Sequence, residues 1–481
     1  MAGKLFLLND REQIIPRSLG NVLLDILRDD LGLTGTKDAC REGDCGSCLV
    51  LLGIAQGDGI IYRTVNSCLL PLGEAAGRHI VTIEGLNQAD LSPVQQALVD
   101  EGAIQCGFCT PGLVVALTGF LLGGAPVTEA DGIAELGGNI CRCTGHVAIR
   151  RAIARLSAQF HDLEPAGEPS SKERVAALVS RGILPEYFLD APVRLGVLNK
   201  SAADEAPAEK QRGHSPVLVA GGTDLYVTQA EKLRDEDPTL LSRREDLQGI
   251  RVEGGEIRIG AATPLSALEA SPIIKQLFPE LGRQLARIAS RPVRNRATIA
   301  GNIVNASPAG DCSVMFLALN ATLALARGRK KRSVALRDFF RGYKVLDLAA
   351  DEMIAEILFP VPDADTRFGF EKVARRAHLD IAGVSSAIRL RVRDGRIVEA
   401  HAAAGGVAPV PLYLRNASAL LPGRPISSET ARAAAAAAAG EIAPISDVRG
   451  SADYKRALLP RLIMAHFLAL FPERIREEDL A

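Results

Sequence analysis

Hydrophobic and polar positions change period several times along this chain, and each change marks an element. Lys4 to Leu8 is an apolar block of strand length. After Ser18, Leu19, Leu23, Ile26 and Leu27 recur on one helical face, and Gly32 stops the pattern. Leu49 to Leu52, Ile60 to Thr64 and Ile80 to Ile83 return to strand-length blocks, so residues 1–84 read as a small α+β unit. Residues 85–160 read as helical. Ser92, Pro93 and Gln95 form a helix-start signature, Thr110-Pro111 opens a second helix, Thr128 caps a third, and Val147 to Phe160 is a fourth.

Residues 161–215 lose this periodicity. EPAGEPSSKE and KSAADEAPAEKQRG are rich in Pro, Glu, Ser, Lys and Ala and read as linker or surface insertion. From Val217 the texture is short β runs, glycines and helices, clearest at Val217 to Ala220, Ile257 to Gly260 and Ile299 to Val304. The last part mixes strands at Phe368 to Ala374 and Ala387 to Val392 with helices. Its alanine run, Ala433 to Ala439, lies between Ser427/Ser428 and Gly440 and reads as a capped, packed helix.

At 481 residues the chain has room for three or four domains. Hydrophobic content of 47% is enough for real cores, and a net charge of −1 gives no basic excess to attract nucleic acid or an anionic membrane. The apolar run in MAGKLFLLND is too short for a signal-peptide core, and the longest apolar region, Cys312 to Ala326, is broken by Asn320. The expected location is the cytoplasm.

The cysteines change the picture most. Eight of nine lie between Cys40 and Cys143. In a chain without secretory features, such clustering points to metal or redox chemistry. The first set, Cys40, Cys45, Cys48 and Cys68, has the C-x4-C-x2-C…C spacing of a plant-type [2Fe–2S] site. Gly43 and Gly46 allow the tight turns and free amides such a loop needs. A four-cysteine zinc site is the alternative, but the set lacks the paired spacing zinc usually shows. The second set is Cys106, Cys109, Cys141 and Cys143. Cys141 and Cys143 flank Arg142 on one short turn, so they could share one iron while Cys106 and Cys109 share the other. Here zinc is a stronger alternative. His146 follows the last of these cysteines; with eight thiols completing two clusters it reads as a turn residue, and Cys312 reads as a small core residue.

No G-x-G-x-x-G follows a strand in the second half, so a Rossmann site has no support. Two other glycine segments stand out. Leu218-Val219-Ala220-Gly221-Gly222-Thr223-Asp224-Leu225 runs a strand into a turn that can offer amides to a pyrophosphate. Thr298-Ile299-Ala300-Gly301-Asn302 opens a second, with Asn302, Asn305 and Ser307 as polar contacts and Asp311 as an acceptor for a sugar or adenine group. Either segment alone could be an ordinary turn.

CREGDCGSC followed by QCGFCTPG…GNICRCTGH resembles the two-cluster module of the xanthine dehydrogenase / aldehyde oxidase family, the molybdenum hydroxylases. The two glycine segments, with ASRPVRNRAT before the second, resemble that family's FAD domain. The resemblance implies an α+β multidomain chain: a β-grasp ferredoxin-like domain (1–84), a helical [2Fe–2S] domain (85–160), a linker (161–200), a two-part α+β FAD-binding domain (201–346) and an α+β C-terminal domain (347–481). It also implies two [2Fe–2S] clusters, an FAD, NAD as acceptor and a molybdenum cofactor on a large partner subunit, assembled as two heterodimers. Electrons would run from the Cys106 set to the Cys40 set and on to FAD. By position, Gln105 would contact the pterin, Leu218 to Leu225 and Thr298 to Asn302 would hold FAD, Asp311 would lie near its ribose or adenine end, and Lys372 would touch it. A helix-end polar residue is the plain reading of Gln105, and a solvated lysine that of Lys372.

Three departures stand out against the resemblance. Ala300 replaces a glycine and could tighten the pyrophosphate pocket, Ile288 replaces a phenylalanine, and Arg375-Arg376-Ala377-His378-Leu379-Asp380 replaces an acidic stretch near the flavin. Xanthine dehydrogenase is the first functional expectation. An aldehyde, nicotinate-type or other N-heterocycle hydroxylase, a carbon monoxide dehydrogenase and a stand-alone iron–sulfur flavoprotein reductase are the alternatives.

Overall fold

The computed structural model describes residues 4–124, 126–163, 170–204, 217–376 and 379–480. They fall into two units, Met1–Leu240 with Ser290–Arg296, and Leu241–Ala289 with Ala297–Ala481.

In the first unit, β1 (Lys4–Leu8), β2 (Arg11–Ile15), β3 (Leu49–Gln56), β4 (Gly59–Asn66) and β5 (His79–Val81) form one sheet in the order β2-β1-β5-β3-β4. β1 and β5 are parallel, and the other pairs are antiparallel. Side chains alternate strictly between faces. Phe6, Leu8, Val50, Leu52 and Ile80 pack on Leu23, Ile26 and Leu27, whereas Leu7, Leu49, Leu51 and Val81 join the helical core. Both faces are covered, which is why these strands read as continuous apolar runs.

Two boundaries differ from the sequence reading. The early helix starts at Leu23, because the N–H groups of Leu19 and Gly20 are taken by Asp237 and the Glu236 carbonyl. β5 stops at Val81, because the Asn9 side chain takes the Thr82 N–H and Ile83 opens a short helix.

Other helices of this unit are α1 (Leu72–Ala75), between β4 and β5, and then α2 (Pro93–Asp100), α3 (Thr110–Leu122), α4 (Glu129–Glu135) and α5 (Val147–Gln159). Ser92 and Gln95 make the capping box of α2, and Thr128 caps α4. α3 is apolar nearly all round and runs through the centre of the core.

The stretch expected as linker is largely structured. α6 (Lys172–Ser180) and α7 (Tyr187–Asp204) bury Leu178, Ile183, Leu184, Phe188, Leu195 and Leu198 in the same core. Its polar composition hid this apolar stripe. The rest of the Pro- and Glu-rich sequence, residues 164–169 and 205–216, lies outside the described residues. The unit closes with a parallel pair, β6 (Leu218–Val219) and β7 (Thr239–Leu240).

Among the described residues the second unit has two larger sheets and a short two-stranded one, Phe340–Gly342 with Val345–Leu346. β8 (Ile250–Glu253), β9 (Glu256–Gly260), β10 (Thr322–Arg327), β11 (Lys330–Ala335) and β12 (Met353–Pro360) pair in the order β11-β10-β12-β9-β8. β13 (Thr366–Val373), β14 (Val384–Arg393), β15 (Arg396–Gly405) and β16 (Leu412–Tyr413) pair in sequence order. Residues 299–305 are helical (α8, Ile299–Asn305), followed by α9 (Asp311–Ala318), where Cys312 is fully buried. The alanine run is α10 (Ser428–Ala439). Ser427 caps it, and Ala431, Ala434, Ala435 and Ala438 form its buried stripe. Among the described residues no helix is long and apolar enough to cross a membrane.

Candidate cofactor sites

The first cysteine set sits on the loop that leads into β3 and on the turn after β4. Arg41, Gly43 and Gly46 all have positive φ (56°, 79° and 68°), so the loop coils tightly around its thiols. Arg41 anchors it by ion pairs to Asp38 and Asp25 at 2.5 and 2.7 Å. Cys48 and Cys68 are 2% and 4% exposed, and their sulfurs are 3.3 Å apart. Cys40 and Cys45 are half-buried and hydrogen-bond to each other. That bond, with help from Ser47, brings the Cys45 thiol down to about 5, while Cys40 is pushed up. The Glu42 N–H donates to Cys40 Sγ at 3.4 Å. Asn66 Nδ2 lies 3.9 Å from Cys48 Sγ.

The second set sits on two turns. Cys106 and Cys109 precede α3, and Cys141 and Cys143 precede α5. The sulfurs of Cys106 and Cys143 are 3.6 Å apart, and Cys109 hydrogen-bonds to Cys141. This corrects the pairing expected from sequence. The segments run antiparallel across each other, so the first thiol meets the last and the middle two meet. His146 is a turn residue, as read from the sequence. With φ at 66° it folds back, and its Nε2 accepts the Cys141 N–H at 3.2 Å.

Among the described residues no three Cys, His, Asp or Glu side chains gather as a single metal ion would need. The thiols instead form four close pairs, two per set. A [2Fe–2S] cluster takes one pair per iron, so the donor set fits that group better than a lone zinc.

The two loops meet directly. Ile140 N donates to the Cys45 carbonyl at 3.0 Å, and a Cβ on Gly112 would lie 2.1 Å from the Gly46 oxygen. A Cβ on Gly46 would lie 2.5 Å from the Gly138 oxygen. Only glycine allows this approach.

Exposure differs at one pair. Cys141 is buried and Cys109 half-buried, but Cys106 and Cys143 are exposed, as are Gln105, Ile104, Phe108, Ile140 and Val147, whereas no thiol of the first set is exposed. Cys48 and Cys68 instead share an apolar cluster with Val219 and Tyr226 from the first glycine segment.

In that segment Leu218-Val219 is β6 and Gly222 has φ 74°. The oxygens of Gly221, Gly222 and Asp224 are drawn back to Arg296 Nε, Tyr226 N and Thr228 N. The opposite side of such a turn presents amides, as a pyrophosphate requires. Behind it, the Tyr226 hydroxyl is buried with no hydrogen-bond partner among the described residues.

The second segment lies in the other unit. Thr298 caps Gly301 N, and Ile299 and Ala300 are buried with Ile288. The Ala300 methyl thus packs in the core. Asn302 Oδ1 accepts from Ser313 N and Oγ, both at 3.1 Å, and so ties α8 to α9. Lys372 is buried, contrary to a solvated reading, and pairs with Asp311 at 2.7 Å. Burial pushes the Asp311 carboxyl up against the pull of Lys372. Its Oδ1 makes no aligned hydrogen bond among the described residues, although the Ser385 side chain also acts on the carboxyl. Arg376 pairs with Asp380 at 2.5 Å. Ala377 and His378 lie outside the described residues.

Four family sequence patterns match in order. They are described as a 2Fe-2S iron-sulfur cluster binding domain (residues 6–71), a [2Fe-2S] binding domain (82–154), an FAD binding domain in molybdopterin dehydrogenase (194–362) and a CO dehydrogenase flavoprotein C-terminal domain (370–470). A solved chain of carbon monoxide dehydrogenase from Hydrogenophaga pseudoflava is 32% identical, with a TM-score of 0.52, over 55% of this chain and 92% of that one.

The chain belongs to the molybdenum hydroxylase family.

Two curated members of wide coverage are xanthine dehydrogenase 2 of Arabidopsis thaliana (29% identical, 86% of this chain) and xanthine dehydrogenase of Blastobotrys adeninivorans (28%, 95%). The chain spans 36% and 40% of their lengths. This molybdenum hydroxylase chain therefore carries two 2Fe-2S-binding domains and an FAD-binding domain of that family.

Sequence reasoning missed Tyr226 and Arg296, which contact the first glycine turn, and Glu74 and Arg78, which continue the charge contacts from Arg296. The i,i+4 spacing of Glu74 and Arg78 and the arginine density of ASRPVRNRAT were the available signals.

Proposed function

We propose that this chain is the electron-transfer part of a molybdenum hydroxylase, with xanthine dehydrogenase as the first reading. It would take electrons from a partner that binds the molybdenum cofactor and substrate, and deliver them through FAD to NAD. The carrying observation is the contrast in exposure between the two cysteine sets. Cys106 and Cys143 open at the surface, where a partner's electrons can enter. Cys48 and Cys68 are buried against Val219 and Tyr226, next to the turn proposed for FAD. The loops of the two sets touch through Gly46 and Ile140, so the path between them is short.

When bound, iron–sulfur clusters exchange single electrons and a flavin two, which suits them to link two-electron substrate oxidation to an acceptor. The residues of this chain bind and orient these groups. The eight cysteines would hold the two clusters. Leu218 to Leu225, Thr298 to Asn302 and Asp311 would hold FAD, and Lys372 would fix the Asp311 carboxylate. Gln105, exposed beside Cys106, would face the partner's pterin. The proposed domains are those read from sequence, with α6 and α7 now part of the first core.

The test is the visible spectrum of the purified protein before and after anaerobic NADH. Bleaching of flavin and iron–sulfur bands supports NAD as acceptor. Bleaching only by dithionite rules NAD out. Co-purification of a molybdenum-containing partner that turns over xanthine separates the first reading from the second, a carbon monoxide dehydrogenase, which the likeness to the Hydrogenophaga chain favours.

A further inference from the structure

Behind the first glycine turn lies a buried ion-pair triad that no cofactor motif accounts for. Arg296 belongs to the segment Ser290–Arg296, which is part of the first unit although the chain on either side of it is not. Its buried guanidinium does two things. Nε donates to the Gly221 carbonyl at 3.1 Å, and Nη2 lies 3.3 Å from Glu74 Oε1, a charge contact without hydrogen-bond alignment. Glu74 is fully buried on α1, which starts four residues after Cys68, and its other oxygen pairs with Arg78. The triad carries two positive charges and one negative, so a net positive charge sits behind the turn.

A buried triad of this kind adds little to stability compared with well-packed apolar side chains. It does supply direction. A guanidinium is planar and rigid, so one that is hydrogen-bonded to a carbonyl through Nε and faces a carboxylate at Nη2 keeps the two in relation. Here the carbonyl belongs to the glycine turn and the carboxylate to the helix beside the first cysteine set. With the Gly221 oxygen held inward, the peptide plane between Gly221 and Gly222 is fixed, and its N–H must face the other way.

We infer that Arg296, held by Glu74, is a positioning residue for FAD: it locks the Gly221–Gly222 turn in its pyrophosphate-binding orientation and registers it on the Cys48/Cys68 edge. This rests on the reading of that turn as an FAD site. Two consequences follow. FAD affinity depends on a salt bridge that does not touch FAD. The triad also adds a positive field to the amides that face a dianionic pyrophosphate.

The test is FAD titration of the deflavinated full-length protein, followed by flavin fluorescence, with the EPR signals of both clusters as the check on fold. Gly222→Val serves as the control for the reading, since φ of 74° and the Tyr226 ring 3.0 Å from a Cβ exclude a branched side chain. We expect Gly222→Val to abolish FAD binding. Arg296→Gln should weaken it at least tenfold with both EPR signals unchanged. Glu74→Gln should weaken it less, and the double variant should be no weaker than Arg296→Gln alone, because the two residues act as one unit. FAD binding at wild-type affinity in Arg296→Gln, with Gly222→Val defective, overturns the inference and leaves the reading of the turn standing. Wild-type binding in Gly222→Val overturns the reading and the inference together. Should Arg296→Gln lose its clusters, Arg296→Lys decides. It keeps the charge but cannot serve carbonyl and carboxylate at once, so it should keep both EPR signals and bind FAD several-fold more weakly; wild-type affinity there overturns the inference.

Discussion

The two cysteine sets bear the same ligands on opposite kinds of surface. The first is embedded: Cys48 and Cys68 lie in an apolar cluster with Leu69, Val219 and Tyr226, and ion pairs of Arg41 pin the loop around Cys40. The second is presented: Cys106 and Cys143 are exposed at the tips of α3 and α5, among exposed Phe108 and Val147. Burial of a redox group shields it from solvent and tunes it, while exposure allows exchange with a partner. One chain thus builds an inner and an outer site from similar loops, and the difference lies in what each loop packs against.

The largest effect should come from the point where the sets meet. In Gly46→Ala the new Cβ would lie 2.5 Å from the Gly138 oxygen at a φ of 68°. Strain and clash together should cost about 2–4 kcal/mol, and both EPR signals should be lost or broadened. Gly107→Ala is the matched control on the outer set. Its φ is 79° but nothing lies within 4 Å of the added carbon, so only the backbone term of about 1 kcal/mol applies. Equal losses in the two variants would break the contrast between an embedded and a presented loop.

Next come the thiols themselves. Cys48→Ser places a hydroxyl in an apolar cluster, which costs about 1–3 kcal/mol when unpaired. It should remove the inner EPR signal and lower FAD content, because Val219 and Tyr226 share that cluster. Cys106→Ser is exposed, so it should remove only the outer signal, leaving thermal stability and FAD content near wild type. Loss of FAD in Cys106→Ser but not in Cys48→Ser would reverse the proposed order.

A third prediction concerns acid. His79, on β5 of the ferredoxin-like sheet, is buried between the Tyr62 hydroxyl and the Asn9 carbonyl. Burial lowers its pKa to about 4. The unfolded ring binds a proton from about pH 6.5 downward, whereas the folded ring does so only near pH 4. The stability due to the neutral ring is therefore complete above about pH 6.5 and is lost as pH falls towards 4, by up to about 1.4 kcal/mol per pH unit. Denaturant midpoints followed by the inner EPR signal should show this slope, and His79→Gln should flatten it. An unchanged slope in His79→Gln would place the acid-sensitive group elsewhere.

Much of this contrast was written in the sequence, but not all. The spacing of the cysteines is local, and so it identified both sets and the residues on each loop. The strands at Lys4–Leu8 and around Leu49 and Ile60, and the caps at Ser92, Thr128 and Ser427, are local too. What failed was long-range. The crossed pairing of Cys106 with Cys143 depends on how α3 and α5 run past each other. The helices α6 and α7 were hidden by polar composition until the core showed which side chains they bury. The plain reading of Lys372 as a solvated lysine, set beside its expected contact with FAD, missed its partner Asp311, sixty-one residues away. Glu74 and Arg296 belong to no motif, and only folding brings them together.

The smallest change in stability tests the outer surface most directly. Phe108 and Val147 are 44% and 60% exposed. Replacing an exposed apolar side chain away from caps and networks usually shifts stability by less than about 0.5 kcal/mol. Phe108→Ser and Val147→Ser should therefore leave melting, both EPR signals and FAD content unchanged. Several exposed apolar side chains around exposed thiols suit an interaction surface. Recovery of the proposed molybdenum-containing partner in a pull-down, and the rate at which substrate reduces the flavin, should both fall, while reduction by dithionite keeps its wild-type rate. Substrate-driven reduction at the wild-type rate in the double variant would mean that electrons enter elsewhere, and the exposure of Cys106 and Cys143 would no longer mark the entry side.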